Sequence, residues 1–399
     1  MSRWSSSSGR CRNEPSLSPR RGGVLSRDIR AEARLLRMCV REPEEVTDDE
    51  ILTAAKAVRD WHWLAGTADQ HGIVRFLIRA VTSRGLTLPQ QASDMLHESA
   101  IAQTAMALSL ESELARVLES LEGAGVPAIV IKGPALARTL YDDSLLRPFS
   151  DLDLVVQSRD QAIAANGLQD CGYTETAFGP EADRQAHAGH VHEGAEFHRV
   201  FQAPCGSSVE LHLDPLQLGL RPACEEGRWL RAVPVAGLPR ALMLCPEDQL
   251  VQLATHVHKH GFCRLIWLKD IDLLVRRYFL DWALVREVAR AEGVGASVWY
   301  SLRLSRLLLG TPVPGSVLAN FRPALPLRFL YQWVWPPARI LNLGGFMRRR
   351  SVQFHMAQSW SGMLPSLILM GRRADRMHAL LKMTVHVSPA DVSSEVPAS

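Results

Sequence analysis

The chain is short of the features that would make it fibrous, secreted by a simple signal or membrane-embedded. Aromatic residues make up only 7% of its 399 residues, and with 47% apolar and 22% charged residues the composition is that of a globular protein. The seven cysteines (Cys11, Cys39, Cys171, Cys205, Cys224, Cys245, Cys263) are scattered, odd in number and without a CxxC pair. A disulfide framework is therefore not expected, and a reducing, cytoplasmic setting is. No stretch reaches the roughly 18–20 uninterrupted apolar residues that cross a bilayer. Phe329 to Met347 is broken by Pro336, Pro337 and Arg339, and Ser359 to Gly371 is short and contains Pro365. A transmembrane segment is not expected, whereas peripheral contact with a membrane surface stays open. The Ser- and Arg-rich start lacks the apolar run of a secretory signal and is expected to be a disordered lead-in.

A net positive charge is also missing from the body. Residues 1–30 carry seven Arg against Glu14 and Asp28, and residues 321–387 carry ten Lys or Arg against Asp375, so the net charge of +3 hides an acidic middle between basic ends. General nucleic-acid binding is not expected of such a body, because it requires a basic stripe on the folded domain.

A chain of this length exceeds the size at which a single core usually keeps growing. The patterns divide it into a lead-in (1–30), a helical front (31–124), an α/β catalytic core (125–215), a helical rear (216–320), a basic amphipathic appendage (321–387) and a tail (388–399). The expected class is α+β: a small mixed sheet flanked by helical regions. Helical spacing runs from Arg30 to about Thr67, with Asp48 or Asp49 as the cap before Ile51-Leu52, and then through Val74-Arg75-Phe76-Leu77. A long helix from Pro89 to Glu122 is closed by Gly123 and Gly125.

At Val126 the period changes. Val126-Pro127-Ala128-Ile129-Val130-Ile131 is apolar on both faces, as a buried strand is, and Gly133-Pro134 opens a helix. Lys132-Gly133 thus lies at a strand-to-helix turn, where backbone N–H groups and the positive helix end can receive a phosphate. Further on, Asp151-Leu152-Asp153-Leu154-Val155-Val156 alternates, so Asp151 and Asp153 share one face and Leu152, Leu154 and Val156 turn to the core. Two such carboxylates raise each other's pKa unless a cation lies between them, which oxygen-ligated Mg²⁺ or Mn²⁺ supplies. A hairpin through Glu196–Ala203 and Ser208–Leu213 then offers Glu210 as a third carboxylate, with His212 and Asp214 on the same face.

These stretches, with Tyr141, with Arg147 ahead of SDLDLVV, with VELH at 209–212, and with Leu244-Cys245-Pro246-Glu247-Asp248, His256, His260 and Leu265-Ile266-Trp267-Leu268-Lys269-Asp270 beyond, resemble the uncharacterised nucleotidyltransferase family of the DNA-polymerase-beta-like superfamily. The resemblance extends over roughly residues 45–310. It implies a nucleoside triphosphate as partner, Asp151, Asp153 and Glu210 as metal-holding catalytic carboxylates, and Lys132, Gly133, Arg147 and Ser150 as nucleotide-binding residues. His212, His256 and His260 would border the substrate cleft. The superfamily commonly has Gly-Ser where this chain has Lys132-Gly133, so the lysine's charge would replace the serine's phosphate contact. The acceptor is open among small molecules, peptides, protein side chains and RNA ends. The family's occurrence beside peptide natural-product genes suggests peptide tailoring.

Rival readings are a haloacid-dehalogenase phosphatase, a DxD glycosyltransferase and a non-catalytic, antitoxin-like nucleotide-binding scaffold. The first needs an apolar strand running into the first aspartate, where Arg147-Pro148-Phe149-Ser150 stands instead. The second needs a nucleotide-binding sheet where residues 30–125 read as helices. Retention of three carboxylates argues against the third. A zinc site on His256 and His260, one helical turn apart, lacks the glutamate that the zincin pattern requires, since Val257 follows the first histidine. Trp333, Trp335 and Trp360 among basic residues fit either an amphipathic appendage packed on the body or a surface for membrane or acceptor.

Overall fold

A computed structural model describes residues 30–176, 198–216 and 225–342. The expected lead-in before Arg30, the basic appendage beyond Asn342, the tail, and His187, His190, His192 and Trp360 lie outside the described residues. The described chain is α+β, with helices flanking one 7-stranded mixed sheet.

The front is helical in separate pieces: α1 (Ala31–Val40), α2 (Asp48–Lys56), α3 (Trp61–His71), α4 (Val74–Thr82) and α5 (Gln90–Gly123). The continuous pattern expected from Arg30 to Thr67 is interrupted at Pro43 and by caps at Thr47 and Asp60. Thr47, rather than Asp48 or Asp49, caps α2. Its hydroxyl accepts the Glu50 N–H while the Glu50 carboxylate accepts the Thr47 N–H, a reciprocal box that satisfies two otherwise orphaned donors. The long α5 ends as its glycines predict: Gly125 has φ +72, and the Val126 N–H returns to the Leu121 carbonyl at 2.8 Å.

The sheet region continues with β1 (Ala128–Ile131), α6 (Gly133–Leu140), β2 (Leu152–Val155), α7 (Gln161–Asp170), β3 (Thr174–Thr176), β4 (His198–Gln202), β5 (Ser208–His212), α8 (Glu225–Arg231), β6 (Val233–Pro234) and β7 (Ala241–Met243). The strand order is β3-β4-β5-β2-β1-β7-β6. β2 runs antiparallel to β1 and parallel to β5, and β7 runs parallel to β1 on its other edge. The sheet therefore extends past residue 215, beyond the boundary expected for the core. Ala241-Leu242-Met243 is too short for its alternation to be read between Arg240 and Pro246.

Ala128 and Val130 of β1, Leu152 and Leu154 of β2, and Val209 and Leu211 of β5 pack on one side of the sheet, among Leu114, Val117 and Leu121 of α5 and Ala164 and Leu168 of α7. Ile129 and Ile131 pack on the other side with Val155 and Leu244. This is why β1 is apolar throughout, while β2 and β5 alternate and carry Asp153, Glu210 and His212 on that second side.

The rear comprises α9 (Pro246–Lys259), α10 (Leu265–Arg277), α11 (Trp282–Ala291), α12 (Gly295–Leu309), α13 (Gly315–Asn320), α14 (Leu325–Val334) and α15 (Pro337–Asn342). Front and rear share one apolar core, in which Leu35, Leu36 and Leu77 join Leu253, Leu268 and Tyr300. Two of the sequence-defined regions are thus continuous in packing.

Candidate active site

The site grows out of strand register. Ile131 at the end of β1 faces Asp153 of β2 across the antiparallel ladder, and Asp153 faces Glu210 of β5 across the parallel one. One row across three strands thus sets the two carboxylates side by side, with Lys132 one residue past the row's end. The Lys132 Nζ donates to Asp153 Oδ1 at 3.0 Å. His212, two residues beyond Glu210 on the same face, brings Nε2 to 2.9 Å from Asp153 Oδ1 and 3.4 Å from Glu210 Oε2.

These neighbours set the protonation. Burial by itself would raise the Asp153 pKa, but the Lys132 charge and the His212 hydrogen bond outweigh it and hold this carboxyl well below its ordinary range. Burial likewise pulls against ionisation of Glu210, and the His212 contact again wins, leaving that carboxyl below its usual value. His212 shows the converse balance. Burial favours the neutral ring, while the two carboxylates favour imidazolium and prevail. Asp151, half-buried just ahead of β2, lacks such a partner, so burial and the nearby Asp153 charge push it up to about 6. The mutual elevation expected of two neighbouring aspartates falls on Asp151 alone, because the cations stand on Asp153.

Lys132 is held at φ +56, ψ −138, a backbone region that residues with a Cβ rarely occupy. Gly133 follows at φ +25 and begins α6. A Cβ on Gly133 would lie 3.6 Å from the Asp151 carbonyl and 3.8 Å from Phe149, ordinary contacts, so what the position requires is glycine's backbone freedom. The turn thus places a lysine in a glycine-like conformation.

Arg147 acts on this turn from behind. Its Nε and Nη2 donate to Asp270 Oδ1 and Oδ2 at 2.9 and 3.0 Å, and its Nη1 approaches the Gly133 carbonyl at 3.4 Å. The Tyr141 hydroxyl donates to the same Asp270 at 2.7 Å. All three side chains are buried. Arg147 therefore ties α10 to the turn and to the end of α6. Asp270 belongs to the stretch that carried the family resemblance, yet nothing in the sequence pairs it with Arg147, 123 residues away.

The other expected residues are placed as follows. Ser150 is exposed beside Asp151. His212, expected at the cleft, is instead 1% exposed, because strand alternation carries it in under Asp153. His256 of α9 and His260 at its C-terminal end pack against each other with tilted rings at 4.6 Å, and against Trp267 at 4.8 Å edge-on and 5.1 Å tilted between ring centroids. Burial, together with the charges of Lys132 and Lys259, keeps both rings neutral: His256 is well below its ordinary value and His260 is pushed down to about 3. Lys259, which sequence reasoning passed over, is lowered first by burial and then by the Lys132 charge, while Glu210 and Asp153 pull it the other way. The end of α9 thus borders the carboxylates.

Among the described residues, Asp153, Glu210 and His212 offer ligand atoms that all lie within 4.8 Å of one another. Two carboxylate oxygens and an imidazole nitrogen form a donor set suited to a divalent cation, with Mn²⁺ more tolerant of nitrogen than Mg²⁺. Asp151 is outside that group. The pair His256 and His260 does not enter it either, which leaves the zinc reading without support.

The model of a family described as uncharacterised nucleotidyltransferase matches residues 57–310. That span runs from the end of α2 to the end of α12 and includes every residue of the site. No curated protein matches the chain.

Proposed function

From the premise that the chain belongs to the uncharacterised nucleotidyltransferase family, we propose that it transfers a nucleoside monophosphate group from a nucleoside triphosphate to an acceptor hydroxyl, releasing pyrophosphate. The observation that carries this reading is the row in which Asp153 and Glu210 face each other, with the Lys132 ammonium on the same carboxylate.

Asp153, Glu210 and His212 would hold Mg²⁺ or Mn²⁺, with Asp151 joining as the cation offsets its charge; the ion supplies neutralisation of the triphosphate and of the charge that develops on the leaving group. His212 would give up its proton to become a ligand. Lys132 exchanges its hold on Asp153 for the triphosphate, and the α6 N-terminus adds backbone donors beside it. In the reaction a bond forms between the acceptor oxygen and the α-phosphorus as the bond to pyrophosphate breaks. The hydroxyl proton passes to a carboxylate of the site. His256, His260 and Trp267 supply a neutral aromatic wall on the side of α9 and α10. The acceptor belongs to the open set of small molecules, peptides and proteins.

Titration calorimetry of nucleoside triphosphates with Mg²⁺, with Mn²⁺ and in excess chelator tests the binding, and pyrophosphate release tests the chemistry. Metal-dependent affinity is expected, with turnover lost in an Asp153→Asn preparation whose folded state is verified by circular dichroism, since this change also strands the buried Lys132 ammonium. Equally tight binding in chelator, or an active preparation unaffected by Asp153→Asn, would sink the reading and leave a non-catalytic scaffold.

A further inference from the structure

Among the described residues, α14 exposes an apolar stripe that packing leaves uncovered. Leu325, Phe329 and Trp333 follow one another at four-residue spacing and are 57%, 69% and 59% exposed. Residues so spaced share one helix face. Leu330 and Tyr331 on the opposite face are buried, so the helix is fixed with its apolar stripe outward. Beside Phe329, a cavity of about 370 Å³ is lined by Trp299, Arg303, Arg322, Arg328 and Gln332. The Arg303 guanidinium lies 5.9 Å over the Trp299 ring. Among the described residues, none of these three arginines is paired with a carboxylate.

We propose that this face of α14, with Arg303, Arg322 and Arg328, docks on an anionic lipid bilayer. A contiguous apolar stripe rimmed by unpaired cations needs a partner that is apolar inside and negative at its surface, and a bilayer of acidic lipids supplies both. Phe329 and Trp333 would enter the headgroup boundary, where aromatic rings are favoured. Charge complementarity decides the occupant. A second copy would set the arginines against one another, and the chain that follows, with six Arg and Lys382 against Asp375 over residues 343–387, has the same sign as the face and would add to the attraction for acidic lipid. No described helix is long and apolar enough to cross a membrane, so the contact is peripheral.

Vesicle flotation of the full chain tests the proposal, comparing phosphatidylcholine vesicles with vesicles that also contain phosphatidylserine. Binding to the acidic vesicles that weakens with added salt is expected, with little binding to phosphatidylcholine alone. Phe329→Ser combined with Trp333→Ser should weaken vesicle binding by about tenfold or more. Arg322→Gln and Arg328→Gln should each weaken it by about fivefold. None of the four positions is among the residues of the nucleotide site, and three of the four side chains are exposed, so nucleotide affinity and unfolding midpoint should not change. Three results overturn the proposal: no binding to acidic vesicles, binding that is unaltered by the Phe329 and Trp333 changes, or a wild-type dimer that those changes disperse without any vesicle binding.

Discussion

Lys132 combines a backbone conformation that suits glycine with a side chain buried on Asp153, and two substitutions separate these features. Lys132→Ala and Lys132→Gly both remove the ammonium, leave Asp153 to His212, and should weaken triphosphate binding by about 1–3 kcal/mol while leaving nucleoside binding alone. Only the glycine relaxes a φ of +56, where strain of about 1–3 kcal/mol is typical. Part of that gain is lost to glycine's greater unfolded-state freedom, about 0.5–1 kcal/mol. Lys132→Gly should therefore be more stable than Lys132→Ala by about 1 kcal/mol in urea unfolding; an alanine variant equal to or more stable than the glycine one contradicts a strained turn. Asp151 and Asp153 were legible as candidates because alternation alone puts their side chains on one face of a strand, and Glu210 because it lies on the polar face of another. The place of His212 was not, since only the pairing of β2 with β5 puts an imidazole under two carboxylates.

Between elements, the brace made by Arg147, Tyr141 and Asp270 joins α10 to the Lys132-Gly133 turn, and two sets of substitutions separate its effect on stability from its effect on binding. Asp270→Asn strands a buried guanidinium and should cost about 3–5 kcal/mol of unfolding free energy. Replacing both partners, Arg147→Met with Asp270→Leu, removes the stranded charge and should recover most of that stability, because an apolar pair of similar bulk is often neutral in such a site. If the brace positions the turn, the double variant still binds the triphosphate more weakly than wild type. Wild-type affinity in a well-folded double variant would reduce the brace to a packing feature. The helices that carry these residues were legible from their spacing and caps, and β1 and β2 from the change of period. What hid β6 and β7 was their length, two and three residues, and what hid the Thr47 cap was competition from Asp48 and Asp49, although the Thr-x-x-Glu spacing marks the box. The distance between Arg147 and Asp270 along the chain lies beyond any local pattern.

Across the whole molecule, the core shared by front and rear also encloses two histidines, one from each half, and they add to the response of the site's own histidines to acid. His71 of α3 is fully buried and its Nδ1 accepts the Leu265 N–H at 3.3 Å; burial pushes its pKa down to about 4. His258 of α9 lies among Phe262, Tyr331 and Trp335 with its Nδ1 2.7 Å from the Ser297 hydroxyl, and burial pushes it down to about 3. Both folded values lie below the unfolded value of about 6.5. Between these limits the unfolded chain binds more protons than the folded one, so the stabilisation is complete above about pH 6.5 and is lost as pH falls toward 4 and 3. Each ring adds at most about 1.4 kcal/mol per pH unit to the slope. Asp151 works the other way, since a pKa raised to about 6 favours the folded state below its unfolded value and loses that contribution as pH rises through 6. Asp151, and His212 with its raised pKa, therefore offset part of what His71, His258, His256 and His260 impose, and the urea midpoint should still fall between pH 7 and pH 5. His258→Phe keeps the ring packing, removes one of these titrating groups and should flatten that fall; a slope identical to wild type would show that His258 takes up its proton as readily folded as unfolded.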